Sequence, residues 1–495
     1  MTAVRHLAVP PMDASMRTRF APAPSGDLHV GNVRTALYSW ALAHRHGGTF
    51  LLRVEDTDRS RVSDASYAAA LDVLRWLGLE WDEGPEVGGP HAPYRQSERL
   101  EVYREAAARL LASGAAYRCF CTPAELAERR ETARAAGRPP GYDGRCRSLS
   151  DEQRAAFEAE GRTSVLRFRM PEGSTTWTDL VRGEITIDHA QIPDFALTRS
   201  DGHPLYLLAA ATDDVAMGLT HILRGEDLVA ATPRQLALYA ALGSAQERWP
   251  AFGHLPLIVG ADHAPLSKRN GEVSVAWYRR NGFLPEALVN YLCLLGWSPG
   301  GDRELFGTDV LVGEFDVTRV SRNPARFDLD KLRALNGDWI RSLGEAELFR
   351  RVQPVLAEQL PVDDELLTRA LPLIQTRMAQ LTEAPGLLGF LFVDEADFAV
   401  DEAAAAKALG ESAGGVLRGV VEALELLEDW TPAAIEAAVW AVGETLGLNK
   451  RKTAAPVRVA ITGRMISPPL FESMELLGRE RSLLRLRRAV EAAGG

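Results

Sequence analysis

Residues 17–41 read RTRFAPAPSGDLHVGNVRTALYSWA. Arg17 to Ala23 has the texture of a short strand, and Ser25-Gly26-Asp27 is a turn. From Val30 onward, Val33, Leu37, Trp40 and Ala41 fall on one helical face, which predicts a helix beginning at His29. A helix N-terminus offers unpaired N–H groups and partial positive charge, which suit a phosphate. Gly31, with no side chain, lets a ligand approach the backbone. The competing reading is an ordinary strand–turn–helix with an exposed histidine.

Working outward, Phe50 to Val54 is an apolar run broken only by Arg53, as expected of a strand buried on both faces. Glu55-Asp56-Thr57-Asp58 follows at its carboxyl end, where ligands bind in open α/β sheets. A carboxylate there can grip an amino group. A polar cap before the helix expected near Ser63 explains the same residues.

Short apolar runs alternate with helical patterns as far as Gly260, which predicts α/β structure. From Gly344 onward the chain reads as amphipathic helices. The first part is interrupted. A helical stripe from Leu100 to Leu111 can end at Gly114, and a polar, basic stretch runs from Thr122 to Glu160. Strand-like text follows at 164–170 and 184–188, then apolar strand-like text at 204–211 and 219–224. These patterns predict a split, doubly wound parallel (Rossmann-like) domain in 1–94 and 206–258, with an insertion at 95–205. A linking region, 259–341, precedes an all-α half at 342–495. In the linking region, Leu266-Ser267-Lys268-Arg269 carries adjacent cations on a loop. Such a loop can close over a polyphosphate and stabilise charge on a leaving pyrophosphate. A basic surface loop is the alternative.

The chain has 495 residues, enough for two to four domains, with 46% hydrophobic and 25% charged residues. No apolar run is long enough to cross a membrane. Residues 1–15 have no continuous apolar core of a signal peptide and read as a ragged start. A net charge of -11 disfavours a nucleic-acid partner only weakly, because local basic surface governs phosphate binding. Basic clusters at 129–147, 450–452 and 479–488 each read, taken alone, as solvated faces.

The 4 cysteines do not make a disulfide framework and point to a reducing cytoplasm. Cys119, Cys121 and Cys146 are three soft donors suited to tetrahedral Zn²⁺, but a structural site needs a fourth. Three reduced thiols are the alternative. Cys293, within an apolar helical pattern, reads as core.

Taken in order, these segments resemble the bacterial glutamyl-tRNA synthetases, class I aminoacyl-tRNA synthetases. Arg19-Phe20-Ala21-Pro22-Ala23-Pro24-Ser25-Gly26, His29-Val30-Gly31-Asn32 and Arg34-Thr35-Ala36-Leu37 are similar to the family text R-F-A-P-S-P-T-G, its HIGH-type tetrapeptide and R-T-A-L. LRVEDTDR at 52–59 resembles the second landmark, and Leu266 to Arg269 the KMSKS element. The stretch 194–234 is similar to the substrate-pocket segment, through DFALTRSDGHPLY, DDVAMG and HILRGED. The likeness runs from about Arg17 to the C-terminus and is weakest over 344–443.

This resemblance implies an ATP-dependent, Mg²⁺-assisted ligation of L-glutamate to tRNA through an adenylate. It implies an acceptor-stem-binding insertion and an anticodon-binding helical half. His29 and Lys268 are the implied catalytic residues, and His29, Gly31, Asn32, Ser267, Lys268 and Arg269 the ATP-binding ones. Arg19, Ala21, Ala23, Glu55, Tyr206, Ala210 and Arg224 are the implied glutamate-binding positions. A guanidinium holds a carboxylate bidentately and would leave an uncharged amide mispaired. Read in isolation, Arg224 is equally a structural ion pair with Glu226 or Asp227. Ala23 lacks the hydroxyl the family commonly places there, and Ala210 stands where some members have Asn. Some members bind zinc with this cysteine spacing and a His two residues after the last Cys. Here that residue is Ser148, and a related pattern makes Tyr142 the substitute beside Cys119, Cys121 and Cys146. The implied partner is tRNA(Glu), with tRNA(Gln) a second candidate, and the implied state is a cytoplasmic monomer.

The rivals are a glutaminyl-tRNA synthetase or a paralogue with another substrate, a truncated-type enzyme that glutamylates a tRNA base, and a small-molecule adenylyltransferase. From a different class comes an inactive tRNA-binding regulatory protein. Arg224 and the helical C-terminal half favour glutamate, and intact His29, Glu55 and Lys268 favour an enzyme.

Overall fold

The computed structural model describes residues 4–58, 62–137, 141–266, 273–410 and 413–494. Two compact units are present, one of residues 1–278 and 288–328, the other of 279–287 and 329–495.

In the first unit, strand β1 (Val4–His6) precedes β2 (Arg17–Phe20), helix α1 (Val30–Arg45), β3 (Thr49–Leu52), α2 (Asp64–Trp76) and α3 (Leu100–Ala112). Then come β4 (Ala116–Cys119), α4 (Pro123–Ala135), α5 (Asp151–Ala159), β5 (Val165–Phe168), β6 (Ser174–Asp179), β7 (Gly183–Asp188) and β8 (Phe195–Ala196). Helix α6 (Tyr206–Ala216), β9 (His221–Gly225), α7 (Thr232–Ala241), β10 (Ala251–Leu255), β11 (Ile258–Val259) and β12 (Ala325–Arg326) complete the elements that frame the site.

The catalytic sheet is parallel in two halves, as the alternating pattern predicts. β2 pairs with β3 and β9 with β10. The halves join where Thr220 N–H donates to Arg17 O at 3.0 Å, just before β9. Buried Trp177, Leu208, Ile222, Tyr239 and Phe252 form the core below. β4, β5 and β8 make a separate antiparallel sheet within the expected insertion. The hairpin β6–β7, also inside 95–205, instead joins the catalytic sheet: Asp179 in β6 is in register with Phe252 in β10.

Three sequence expectations need correction. Pro204 to Ala211 is not a strand, because α6 begins at Tyr206. Leu207 to Ala211 has no β-branched residue and three alanines, the best helix formers. Buried from Leu208 through Asp214, this helix shows a continuous apolar run that periodicity cannot tell from a buried strand. Second, the leader is not wholly ragged. Val4–His6 pairs in parallel with Thr175–Trp177, and buried His6 Nε2 lies 3.0 Å from Pro250 O. Third, the cluster at 479–488 is not simply a solvated face. Arg485 is buried and bonds Glu395, Phe390 O and Ile461 O, while Arg481 also reaches Glu395.

The second unit is helical, as expected. Helices over Glu345–Ala357, Asp364–Gln375, Ala413–Glu425, Pro432–Thr445, Lys450–Thr462, Leu470–Leu477 and Arg479–Gly494 share one core that includes Leu348, Leu371, Leu417, Val439, Ile461 and Leu486. Gly478, at φ 86°, breaks the last stretch into two helices.

Candidate active site

A cleft of about 670 Å³ opens at the carboxyl ends of β2 and β9. It is lined by Arg19, Ala21, His29, Gly31, Asn32, Glu55, Tyr206 and Arg224, residues that the sequence scatters over two hundred positions. Ala23 and Ala210 do not line it. Ala23 is exposed, and Ala210 is buried inside α6. Ser267, Lys268 and Arg269 lie outside the described residues. Their described flanks meet the cleft: Leu266 lines it, and Val273 O accepts from Val30 N–H at the start of α1 at 3.0 Å.

His29 is the N-cap of α1, and its Nδ1 accepts from Asn32 N–H at 3.4 Å. In the neutral ring the proton then resides on Nε2, which makes that edge a donor. A Cβ on Gly31 would lie 3.1 Å from the His29 ring, so the glycine also makes room for the cap. Arg34, one turn into α1, is buried and donates to Leu295 O and Pro256 O, pinning the helix.

Two buried guanidiniums face the cleft. Arg224 donates from Nε to His254 Nε2, from Nη1 to Gln235 Oε1, and from Nη2 to Thr232 Oγ1 and Leu228 O. Among the described residues no carboxylate lies within ion-pair distance of it. Glu226 is taken by Arg182, and neither it nor Asp227 makes the ion pair with Arg224 that sequence left open. Arg19 donates to Leu223 O, and among the described residues its Nε has no hydrogen-bond partner. Burial lowers the pKa of Arg224, and Arg19 beside it adds to the effect. Such a pair is completed by an anion.

Glu55 supplies the opposite sign. Its pKa is pushed up by burial and drawn back by Arg53 and Arg19. Arg53, the residue that follows β3, is fully buried and bonds both Glu55 and Asp214. Despite the cost of burial, Asp214, Glu55 and Asp213 raise its pKa well above the ordinary arginine value. Tyr239 donates to Asp214 as well, at 2.8 Å. Arg53, Asp214, Gln235 and His254 were not singled out as site residues. A lone charge in a strand buried on both faces was the available signal for Arg53.

The comparisons with known proteins agree over nearly the whole chain. Residues 15–334 match the family described as tRNA synthetases class I (E and Q), catalytic domain. The chain belongs to this family. Residues 347–490 of the synthetase match a second family, described as anticodon binding domain. A glutamate–tRNA ligase of Nocardioides sp. is 52% identical to it over 96% of this chain and 99% of its own. One from Streptomyces griseus is 51% identical over 95% of this chain and 94% of its own. The crystal structure of a glutamate tRNA ligase from Elizabethkingia meningosepticum, in complex with its amino acid, superposes with a TM-score of 0.85 at 32% identity. The match covers 97% of this chain and 100% of that one.

Away from the cleft, the sulfurs of Cys119, Cys121 and Cys146 lie within 4.8 Å of one another. Cys121 and Cys146 are 3.6 Å apart, and Tyr142 Oη is 3.4 Å from Cys119 Sγ and accepts from Cys146 N–H at 2.8 Å. The three cysteines read from spacing thus converge, and Tyr142, implied by the resemblance, lies beside them. Cys293 is buried core. Among the described residues no helix is long and apolar enough to cross a membrane.

Proposed function

We propose that this synthetase joins L-glutamate to tRNA(Glu) in two steps, with tRNA(Gln) a second candidate acceptor. The observation that carries this reading is the pair of buried arginines, Arg19 and Arg224, that face one cleft and, among the described residues, form no ion pair with a carboxylate. Glutamate has two carboxylates for two guanidiniums and an ammonium for Glu55. Glutamine would leave a guanidinium facing an uncharged amide, a mispairing that such sites reject strongly.

In the first step an α-carboxylate oxygen of glutamate attacks the α-phosphorus of ATP, and the bond to the β-phosphate breaks to release pyrophosphate. His29 Nε2 and the Gly31 N–H in the first turn of α1 donate to the phosphates, and Lys268 stabilises charge on the leaving group. Bound Mg²⁺ supplies neutralising charge to the triphosphate. In the second step a hydroxyl of the tRNA terminal ribose takes the acyl group, and AMP leaves. Positioning and fixed charge carry both steps, with little side-chain acid–base chemistry. Residues 95–205 receive the acceptor stem, the helical second unit receives the anticodon, and the enzyme acts as a cytoplasmic monomer.

The sulfur cluster is assigned to structural Zn²⁺. Tetrahedral thiolate coordination puts sulfurs about 3.8 Å apart, close to what Cys121 and Cys146 show. Cys119, Cys121 and Cys146 would hold the ion, and the Tyr142 oxygen is the fourth donor.

The test is ATP–pyrophosphate exchange with tRNA present, run over all twenty amino acids. Exchange with glutamate alone, abolished by Arg224→Met, is the expected result. Preference for glutamine or another amino acid would replace this reading.

A further inference from the structure

We infer that Asp179 and His254 act as positioning residues for the glutamate site, holding the Arg224 guanidinium in one orientation through the imidazole. The inference rests on the proposed role of Arg224 and extends it to two residues outside the cleft lining.

The geometry runs through three strands. Arg224 on β9 lies beside His254 on β10, with the two residues in register. Arg224 Nε–H donates to His254 Nε2 at 3.0 Å. A guanidinium has only donors, so Nε2 must present a lone pair, and the ring proton is on Nδ1. That nitrogen donates to Asp179 Oδ2, at the end of β6. All three side chains are buried.

Asp179 is itself fixed. Its Oδ1 accepts from the backbone N–H groups of Val181, Arg182 and His254, at 3.1, 3.0 and 3.2 Å. Burial alone would raise its pKa, but the hydrogen bonds from His254 and the backbone hold it below the usual carboxylate range. Burial also lowers the pKa of His254, which keeps the ring neutral and able to accept from Arg224.

The consequence lies in how Arg224 spends its donors. Nε goes to His254, Nη2 to Leu228 O and Thr232, and one Nη1 hydrogen to Gln235. The remaining Nη1 hydrogen is left for a ligand in the cleft. Without the imidazole acceptor, turning the guanidinium about its Cγ–Cδ and Cδ–Nε bonds breaks one buried hydrogen bond fewer, and that donor is less firmly aimed. An aromatic ring of similar size would fill the space and supply no acceptor. The amide oxygen of glutamine would reach the Nε2 position and restore one.

The test compares His254→Phe and His254→Gln with the unaltered enzyme in tRNA-supported ATP–pyrophosphate exchange. Each variant is checked for an unchanged melting transition, and Asp179→Asn serves as a second entry point should a His254 variant fail to fold. The expected result is a rise of about tenfold or more in the glutamate KM of His254→Phe, with the ATP KM within about twofold of normal and recovery of most of the loss in His254→Gln. Equal effects on both substrates, or no difference between Phe and Gln, would reduce the dyad to packing and overturn the inference. Arg224→Lys is measured alongside. If it leaves the glutamate KM unchanged, the reading of Arg224 fails; if it raises KM while His254→Phe does not, only the present inference fails.

Discussion

Arg53 Nη2 donates to Glu55 Oε1 at 3.0 Å, two residues along the same chain, while its Nη1 donates to Asp214 Oδ1 at 2.7 Å. One fully buried guanidinium thereby orients the carboxylate that faces the cleft and ties β3 to α6.

Arg53→Met should therefore be severe. It keeps the length of the side chain but leaves Glu55, Asp213 and Asp214 without their shared cation. Loss of one partner from a buried charge network costs about 3–5 kcal/mol. Urea-induced unfolding measures this. Arg104→Ala, which removes only an exposed pair with Glu101, should stay within about 0.5 kcal/mol of the parent. Similar values for the two variants would refute the structural role given to Arg53.

Lys268→Ala should lower turnover by about a hundredfold or more with no change in melting temperature. Steady-state aminoacylation and circular dichroism on the same preparation are the measurements. Near-normal turnover removes Lys268 from the chemistry.

Protein purified under reducing conditions should carry about one zinc per chain by elemental analysis. Cys146→Ala should lose it, and Tyr142→Phe should yield it to a chelator more readily than the parent does. Equal retention by Tyr142→Phe would mean that the fourth ligand is something else.

His221, fully buried, has its pKa lowered by burial from 6.5 to about 4. Between these values the unfolded chain binds more protons than the folded one. Stability is therefore fully present above about 6.5 and falls as pH drops towards 4, by up to about 3 kcal/mol. Unfolding in urea at pH 7, 6 and 5 should show this slope, and His221→Asn should flatten part of it. An identical slope in the variant would assign the effect to other groups.

Much of the site was legible before any coordinates. His29 was placed by the strand–turn–helix pattern, and the structure makes it the N-cap of α1. Glu55 followed from its position at the carboxyl end of an apolar strand. Local chain geometry decides both placements. The segment at 204–211 misled because a buried helix and a buried strand present the same unbroken apolar text.

The sequence by itself determined the family and the α/β-then-helical organisation. Those depend on ordered motifs and on periodicity, which the chain carries locally. Only the tertiary structure decided that no carboxylate among the described residues pairs with Arg224, that Glu226 is paired with Arg182 instead, and that Asp179 reaches His254. It also decided that Ala23 and Ala210 stay out of the cleft lining. The reason is physical: the partner of a buried charge is set by which strands lie side by side, and strand neighbours are far apart in sequence.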